Sequence, residues 1–296
     1  MKTCLECIPC FFKQALEVAR VVGVDENISR VIINKIAELI PSFSLEISPP
    51  EMGRIIHQLV QNITNSDDPY KELKEKSNNL AFQLYPNLKD KINCSKDKFL
   101  VAVKLAISGN IIDYGAKNSL NLEKEIEKIF FKDFEKRDEE VINFNYLEFK
   151  NDLDKVESIL YLGDNAGETF FDRLLLEQLK EVYPHIKKIF YAVKEKPIIN
   201  DALYEDALFC GIDEYAEIIS SGTDAPGTVL KFCSSEFIEI YKKVDLIISK
   251  GQGNYEALSE ENRLIYFLLK VKCVVLAKHL NCKLGNIVLK RAENAD

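Results

Sequence analysis

Ser158-Ile159-Leu160-Tyr161-Leu162-Gly163-Asp164-Asn165-Ala166-Gly167-Glu168 is the stretch on which the reading of this chain turns. Its first five residues form a short apolar run that ends at a glycine, the pattern of a buried strand. The polar turn that follows leads into 169–182, which reads as an amphipathic helix. Runs at 188–193, 216–220, 244–249 and 272–277 repeat the strand pattern, with helical stretches such as 234–242 between them. Strands alternating with helices predict βαβ units and a largely parallel sheet with helices on both faces. The tail 290–296 reads as frayed.

Working outward, residues 1 to about 150 carry apolar residues at helical spacing. Phe11, Phe12, Ala15, Leu16, Val18 and Ala19 form one stripe; Ile28, Val31, Ile32, Ile36 and Leu39 form the next, ended by Pro41. Ser48 before Pro49 and Pro50 is an N-cap with proline in the first turn. Asp68-Pro69 repeats that signal before a polar helix to about Leu84, and 97–112 is the most apolar helix of this half, interrupted at Gly109-Asn110. The expected architecture is an N-terminal all-helical domain (1–150) joined to a three-layer α/β/α domain (151–296). A chain of 296 residues that is 47% apolar is ample for such cores.

With 39 basic and 47 acidic residues, a net charge of −8, the chain lacks the basic footprint of a nucleic-acid binder. No run approaches the ~20 apolar residues of a membrane span. The expectation is a cytoplasmic protein with no nucleic-acid or membrane partner; the oligomeric state is not legible.

In an open parallel sheet, ligands bind beyond the carboxyl ends of the strands. There the sequence places Gly163-Asp164-Asn165-Ala166-Gly167-Glu168, Pro197-Ile198-Ile199-Asn200-Asp201, Ser221-Gly222-Thr223-Asp224-Ala225-Pro226-Gly227-Thr228 and Lys250-Gly251-Gln252-Gly253-Asn254-Tyr255-Glu256. Singly, Asp164 and Asn165 read equally well as helix caps, and Asp201 as a first-turn carboxylate. Together, adjacent Asp164 and Asn165 with a third oxygen donor from the neighbouring strand end suit a hard cation, Mg²⁺ or Mn²⁺. Lys250, closing the fourth strand, is expected to point into the same crevice. A cation, a lysine and the amides opening the helix at Gly167-Glu168 are what phosphoryl chemistry asks for. There is no P-loop. Gly251-Gln252-Gly253 begins a dinucleotide fingerprint, but Glu256 occupies the third glycine position. His57, His185 and His279 lie at no expected strand end, which argues against a histidine-activated nucleophile. Asn110 and Asp113, near the end of the apolar helix, are candidates for closing the crevice from the helical side.

Cys4-x-x-Cys7-x-x-Cys10 places three of the eight cysteines at helical spacing, a candidate second metal site for a soft ion. A fourth ligand such as Cys94 would have to complete it, and the competing reading is an ordinary helix start.

The strand-end series, with Lys196-Pro197 before Ile198, resembles the metal-dependent damage-control phosphatases, once a domain of unknown function. Cys7-Ile8-Pro9-Cys10 and Ser108-Gly109-Asn110-Ile111-Ile112-Asp113-Tyr114-Gly115 are similar to the prokaryotic branch of that family. The resemblance spans nearly the whole chain. It implies one divalent metal, Mn²⁺ or Mg²⁺ with Co²⁺ and Ni²⁺ as further candidates, held by Asp164, Asn165 and Asp201. It also implies a sugar phosphate or related phosphometabolite near Glu168, Gly253, Asn254 and Tyr255. Of the eukaryotic branch's Arg-Thr-x-Lys motif only Lys272 corresponds, as a phosphate contact. The function expected is hydrolysis of small phosphorylated metabolites, with Asp164 and Asp201 catalytic and Lys250 and Lys272 on phosphate. The alternative is a phosphometabolite sensor with a cysteine-bound regulatory metal and no turnover.

Overall fold

The computed structural model describes residues 1–109 and 143–293. Helices α1 (Ile8–Val22), α2 (Glu26–Leu39) and α3 (Pro49–Thr64) close around Phe11, Ala15, Val18, Ile32, Ile36, Met52, Ile56 and Val60. Their ends are set locally. The Asp25 carboxylate accepts the Ile28 amide at 2.9 Å to start α2, and Ser48 N donates to Glu51 Oε1 at 3.2 Å to start α3.

Helix α4 (Lys71–Asn93) continues past the expected stop near Leu84 and carries Pro86 inside it. Leu84, Leu88 and Ile92 recur every four residues and bury in the same core as the sheet, and that burial outweighs the hydrogen bond lost at the proline. Helix α5 (Lys98–Ser108) is buried at every residue after its first, and α6 (Tyr146–Leu153) sets Phe149 against Tyr266, ring centroids 4.7 Å apart. The apolar core therefore does not divide at residue 150. The second half of α4, α5 and α6 share one core with the sheet, while α1–α3 and Tyr70 form a separate one. Asn110 and Asp113 lie outside the described residues.

The sheet has six strands: β1 (Ser158–Leu162), β2 (Lys188–Val193), β3 (Glu217–Ser220), β4 (Leu246–Lys250), β5 (Ile265–Lys270) and β6 (Ile287–Arg291). The order is β3-β2-β1-β4-β5-β6, parallel throughout except for β6 against β5. Side chains alternate between faces, as a strand requires. Ile159, Tyr161, Ile189, Tyr191, Leu246 and Ile248 join the α4–α6 core, with α7 (Glu168–Val182) and α8 (Tyr204–Phe209). Leu160, Leu162, Phe190, Ile247, Phe267 and Leu269 face α9 (Ser235–Lys243), α10 (Gly251–Leu258) and α11 (Val274–His279). This is the three-layer α/β/α arrangement. The direction of winding reverses between β1 and β4, which puts a ligand crevice beyond their carboxyl ends.

Two expected elements change. The run 272–277 is not a strand: its residues from Val274 onward open α11, with Cys273 Sγ accepting the Leu276 amide at 3.3 Å, and the fifth strand is the run before it. Two apolar runs separated by Val271, Lys272 and Cys273 compete for one strand slot, and the β-branched pair Val274-Val275 favours the wrong one. The tail is not frayed from residue 290, because Lys290 and Arg291 complete β6 and Arg291 Nε donates to Asp152 Oδ2 at 3.1 Å. No described helix is long and apolar enough to cross a membrane.

Leu289, fully buried in β6, tests whether this last strand belongs to the core. Leu289→Ala is expected to cost about 2–5 kcal/mol in urea unfolding; a cost below about 0.5 kcal/mol, as at a free surface, would mean that the strand end is loose.

Candidate active site

The loops after β1 and β2 are laced together by their backbones. Asn165 and Asp201 form an isolated antiparallel bridge, Ala166 N donates to Asn200 O at 2.9 Å, and Ala202 N donates to Asp164 O at 2.8 Å. Lacing two loops this way fixes Asp164, Asn165 and Asp201 beside one another at the strand ends. Ile199, immediately before Asn200, sits at φ 46°, a left-handed conformation that strains a β-branched residue. Strain of about 1–3 kcal/mol persists only where the surroundings impose it, and here the lacing does.

Side-chain hydrogen bonds set the rest. Asn165 Nδ2 donates to Asp164 Oδ2 at 3.1 Å and to Glu168 Oε1 at 2.8 Å, so the amide turns its oxygen away from both carboxylates. Asp201 is buried; Lys194 Nζ lies 3.5 Å from its Oδ2, and that oxygen makes no hydrogen bond. Burial raises the pKa of Asp164, Asp201 and Glu168; the charge of Asp201 adds to the rise at Asp164, and nearby lysines oppose it at all three. Crowded carboxylates that resist ionisation, one with an orphan oxygen, fit a cation. Asp164, Asn165 and Asp201 supply only oxygen donors, which suits a hard divalent ion.

Beside them lies a cavity of about 350 Å³ between the sheet's carboxyl edge and the α1–α3 helices. Asp164, Asn165, Asp201, Gly253 and Lys272 line it, together with Gln252, Glu256, Cys7, Cys10 and Pro226. Moving the fifth strand back by one run is what puts Lys272 here. As the first residue of a parallel strand it would stand at the opposite edge; as the second residue after β5 it stands at the ligand edge. Helix α3 is docked over the cavity by Arg54, whose guanidinium donates to the Asp224 carboxylate, with Gln58 Nε2 donating to Asp224 Oδ2 at 2.8 Å.

Four expected ligand contacts fall elsewhere. Lys250 does not line the cavity: its side chain is 1% exposed, with the ammonium 2.5 Å from Asp172 Oδ1 and 3.4 Å from Glu168 Oε2. Asp172, buried in α7, also accepts Tyr161 Oη at 2.7 Å and Tyr191 Oη at 2.8 Å. Glu168 is itself buried, held between Asn165 and Lys250. Asn254 is a clamp: its Nδ2 donates to Gly163 O at 3.1 Å and Lys250 O at 2.8 Å, while its Oδ1 accepts Thr228 N at 2.6 Å. Tyr255 packs in the core against Phe267, centroids 4.9 Å apart. For Lys250, Glu168 and Asn254 the reason is common: a residue at a strand end or in the first turn of a helix can point down into the layers as readily as out of them. Tyr255, in the second turn of α10, lies on that helix's buried face. Of the cysteines, Cys4 Sγ and Cys7 Sγ lie 3.5 Å apart while Cys10 is exposed. Among the described residues no three His, Cys, Asp or Glu side chains gather as metal ligands. The site residues missed in the sequence are Asp172, Lys194, Gln252 and Glu256, and Cys7 and Cys10, expected at a separate metal site, line this cavity instead; Lys194, directly after β2, carried a positional signal.

Residues 3–288 match the profile of the damage-control phosphatase ARMT1-like domain. The chain is 38% identical to the uncharacterized protein MJ0202 of Methanocaldococcus jannaschii, across 97% of this chain and 94% of that one. It is 36% identical to damage-control phosphatase PH1575 of Pyrococcus horikoshii, across 98% of each. A damage-control phosphatase of Archaeoglobus fulgidus is 33% identical, across 99% of this chain and all of that one. The crystal structure of the DUF89 family protein PH1575 superposes with a TM-score of 0.89 at 35% identity, covering 99% of this chain and 100% of that one. Fold and relatives define a hydrolase of the phosphatase class. The chain belongs to the damage-control phosphatase family.

The buried ion pair makes a direct prediction. Lys250→Met leaves Asp172 charged and unpaired and is expected to destabilise the protein by about 3–5 kcal/mol, read by denaturant unfolding. Adding Asp172→Asn, which removes the orphaned charge, should recover at least half of the loss. A single variant as stable as the parent would refute the pairing.

Proposed function

We propose that this protein hydrolyses phosphate monoesters of small metabolites, sugar phosphates or damaged phosphometabolites, at a divalent cation held by Asp164, Asn165 and Asp201. The observation that carries the reading is the backbone lacing of the β1 and β2 loops, which gathers three oxygen-bearing side chains on one wall of a cavity. Mn²⁺ and Mg²⁺ are the ions suited to those donors. When bound, such an ion neutralises phosphoryl oxygens and lowers the pKa of a water.

The chain's own residues do the remaining work. Lys272 stands in the cavity as a fixed positive charge for the phosphate, and Gln252 and Gly253, in the first turn of α10, line the same wall. Helix N-termini favour anions there. Burial pushes Glu256, also on the wall, up to about 7, so that it shares a proton with its surroundings near neutral pH. A carboxyl so poised suits proton transfer to a leaving alkoxide. A cavity of about 350 Å³ suits a small substrate.

Purified protein with Mn²⁺ or Mg²⁺ is expected to release phosphate from an aryl phosphate and from members of a sugar-phosphate panel. Asp164→Ala and Asp201→Ala should each lower release at least ~10²-fold. Metal-dependent ligand binding with no phosphate released under any cation would favour the sensor instead.

Gly251 offers a second check. It sits at φ 80°, and a β-carbon there would collide with the Asp164 carboxylate. Gly251→Ala is expected to fold, at a cost of about 1–2 kcal/mol for the left-handed backbone, but to need at least tenfold more Mn²⁺ for half-maximal turnover. An unchanged metal requirement would mean that Asp164 does not hold the ion.

A further inference from the structure

The cysteine cluster at the chain's start has no part in the reaction above, yet it borders the same cavity. Cys7 lines that cavity, and its sulfur lies 3.5 Å from Cys4 Sγ. Cys7 N donates to Cys4 O at 2.9 Å, closing a single tight turn across Leu5 and Glu6. A turn closed this way holds its end Cα atoms within about 7 Å, and disulfides span Cα separations of about 4.4–6.8 Å. The backbone already brings the two residues to the range that a disulfide needs.

Both flanks of the turn are held. Thr3 on one side donates from N and from Oγ1 to Ile47 O, at 2.9 and 2.7 Å, and Cys7 on the other leads directly into α1. Cys10, one turn further on, is exposed, whereas Cys4 and Cys7 are half-buried and face each other. A third metal ligand is not gathered around the pair among the described residues. The local chemistry is that of a dithiol.

We propose that Cys4 and Cys7 form a reversible dithiol–disulfide site in the wall of the candidate active-site cavity, oxidised by low-molecular-weight disulfides. In the first step the Cys4 thiolate attacks one sulfur of a disulfide such as oxidised glutathione, forming a mixed disulfide and expelling one glutathione thiolate. The Cys7 sulfur, once deprotonated, then attacks Cys4 Sγ and expels the second. The two protein sulfurs are oxidised, the small disulfide is reduced to two thiols, and the two cysteine protons pass to the thiolates released. Burial raises the pKa of the Cys7 thiol, which assigns the first attack to Cys4.

The test uses the full chain, reduced with dithiothreitol, freed of it, and exposed to oxidised glutathione. Intact mass, thiol alkylation and peptide mapping are then read. The expected result is a product two hydrogens lighter, with two fewer alkylated cysteines and a peptide linked through Cys4 and Cys7, all reversed by dithiothreitol. Cys10→Ser should retain that product and Cys4→Ser should lose it. Cys7 packs against the α1–α3 core, so the decision rests on the Cys4 and Cys10 variants. A bond between Cys7 and Cys10 would overturn the proposal, as would a glutathione adduct that never resolves. Stoichiometric Zn²⁺ that needs Cys4 and blocks oxidation would overturn it in favour of a metal site. None of these readouts depends on phosphate release, so failure here and failure of the phosphatase reading are told apart.

Discussion

The site depends on the short antiparallel bridge between Asn165 and Asp201. Parallel strands cannot place their following loops in register by a hairpin, because each is followed by a crossover of its own. Here β1 and β2 solve this by letting their loops pair with each other after the strands have ended. The partners are backbone groups, so the geometry is carried by hydrogen bonds to Asn200 O and Asp164 O rather than by the functional side chains. That leaves the side chains at liberty to be wrong for stability. Asp201 keeps a buried oxygen without a hydrogen bond, and Ile199 keeps a strained backbone, each a cost that a loop under no such constraint would shed.

Beneath the lacing lies a second constraint, the burial of Lys250 between Asp172 and Glu168. A lysine with 1% exposure is tolerable only when its charge is met, and Asp172 is in turn steadied by two tyrosine hydroxyls. The chain of contacts runs from Tyr161 and Tyr191 through Asp172 and Lys250 to Glu168, and from there through Asn165 to Asp164. Lys250 thus acts on the site through Glu168, not on a ligand. Asn254 ties the same strand end to Gly163 and to Thr228, so the loops after β1, β3 and β4 are joined by the hydrogen bonds of one side chain.

Most of the fold was legible because it is local. The runs that became β1 and β2 are apolar, short and bounded by polar turns, and Ser48-Pro49-Pro50 marks a helix start that the structure places at Pro49. What misled was competition between neighbours. Ile265–Lys270 and the run from Val274 are separated by Val271, Lys272 and Cys273, and periodicity alone does not say which becomes the strand. Helix α4, expected to end near Leu84, runs on through Pro86, because the stripe of Leu84, Leu88 and Ile92 carries it. In the site, the residue types and their strand-end positions could be read, and so could the gathering of Asp164, Asn165 and Asp201. The direction in which Lys250, Glu168 and Asn254 point could not, because it is decided by partners far away in sequence such as Asp172 and Thr228. The resemblance singled out Lys272, which the local strand assignment put at the wrong edge and which the structure places on the cavity wall.

Charge ties these observations together. At the strand ends Asp164, Asp201, Glu168 and Asp172 supply four carboxylates, against the ammonium groups of Lys194, Lys250 and Lys272. With all of them ionised the cluster is one charge negative, an environment hostile to a phosphate. Burial raises the pKa values of Asp164, Glu168 and Asp201, and neighbouring carboxylates add to the rise while the lysines oppose it. A divalent cation of the kind proposed would add two positive charges beside these carboxylates and offset their excess, which is the condition under which a dianion could be held. Lys194 and Lys250 are buried and paired with carboxylates, and among the described lysines it is Lys272 that lines the cavity. On the proposed reading, an acidic protein needs no basic surface to take an acidic substrate, because a cation held by its carboxylates would set the sign of the site.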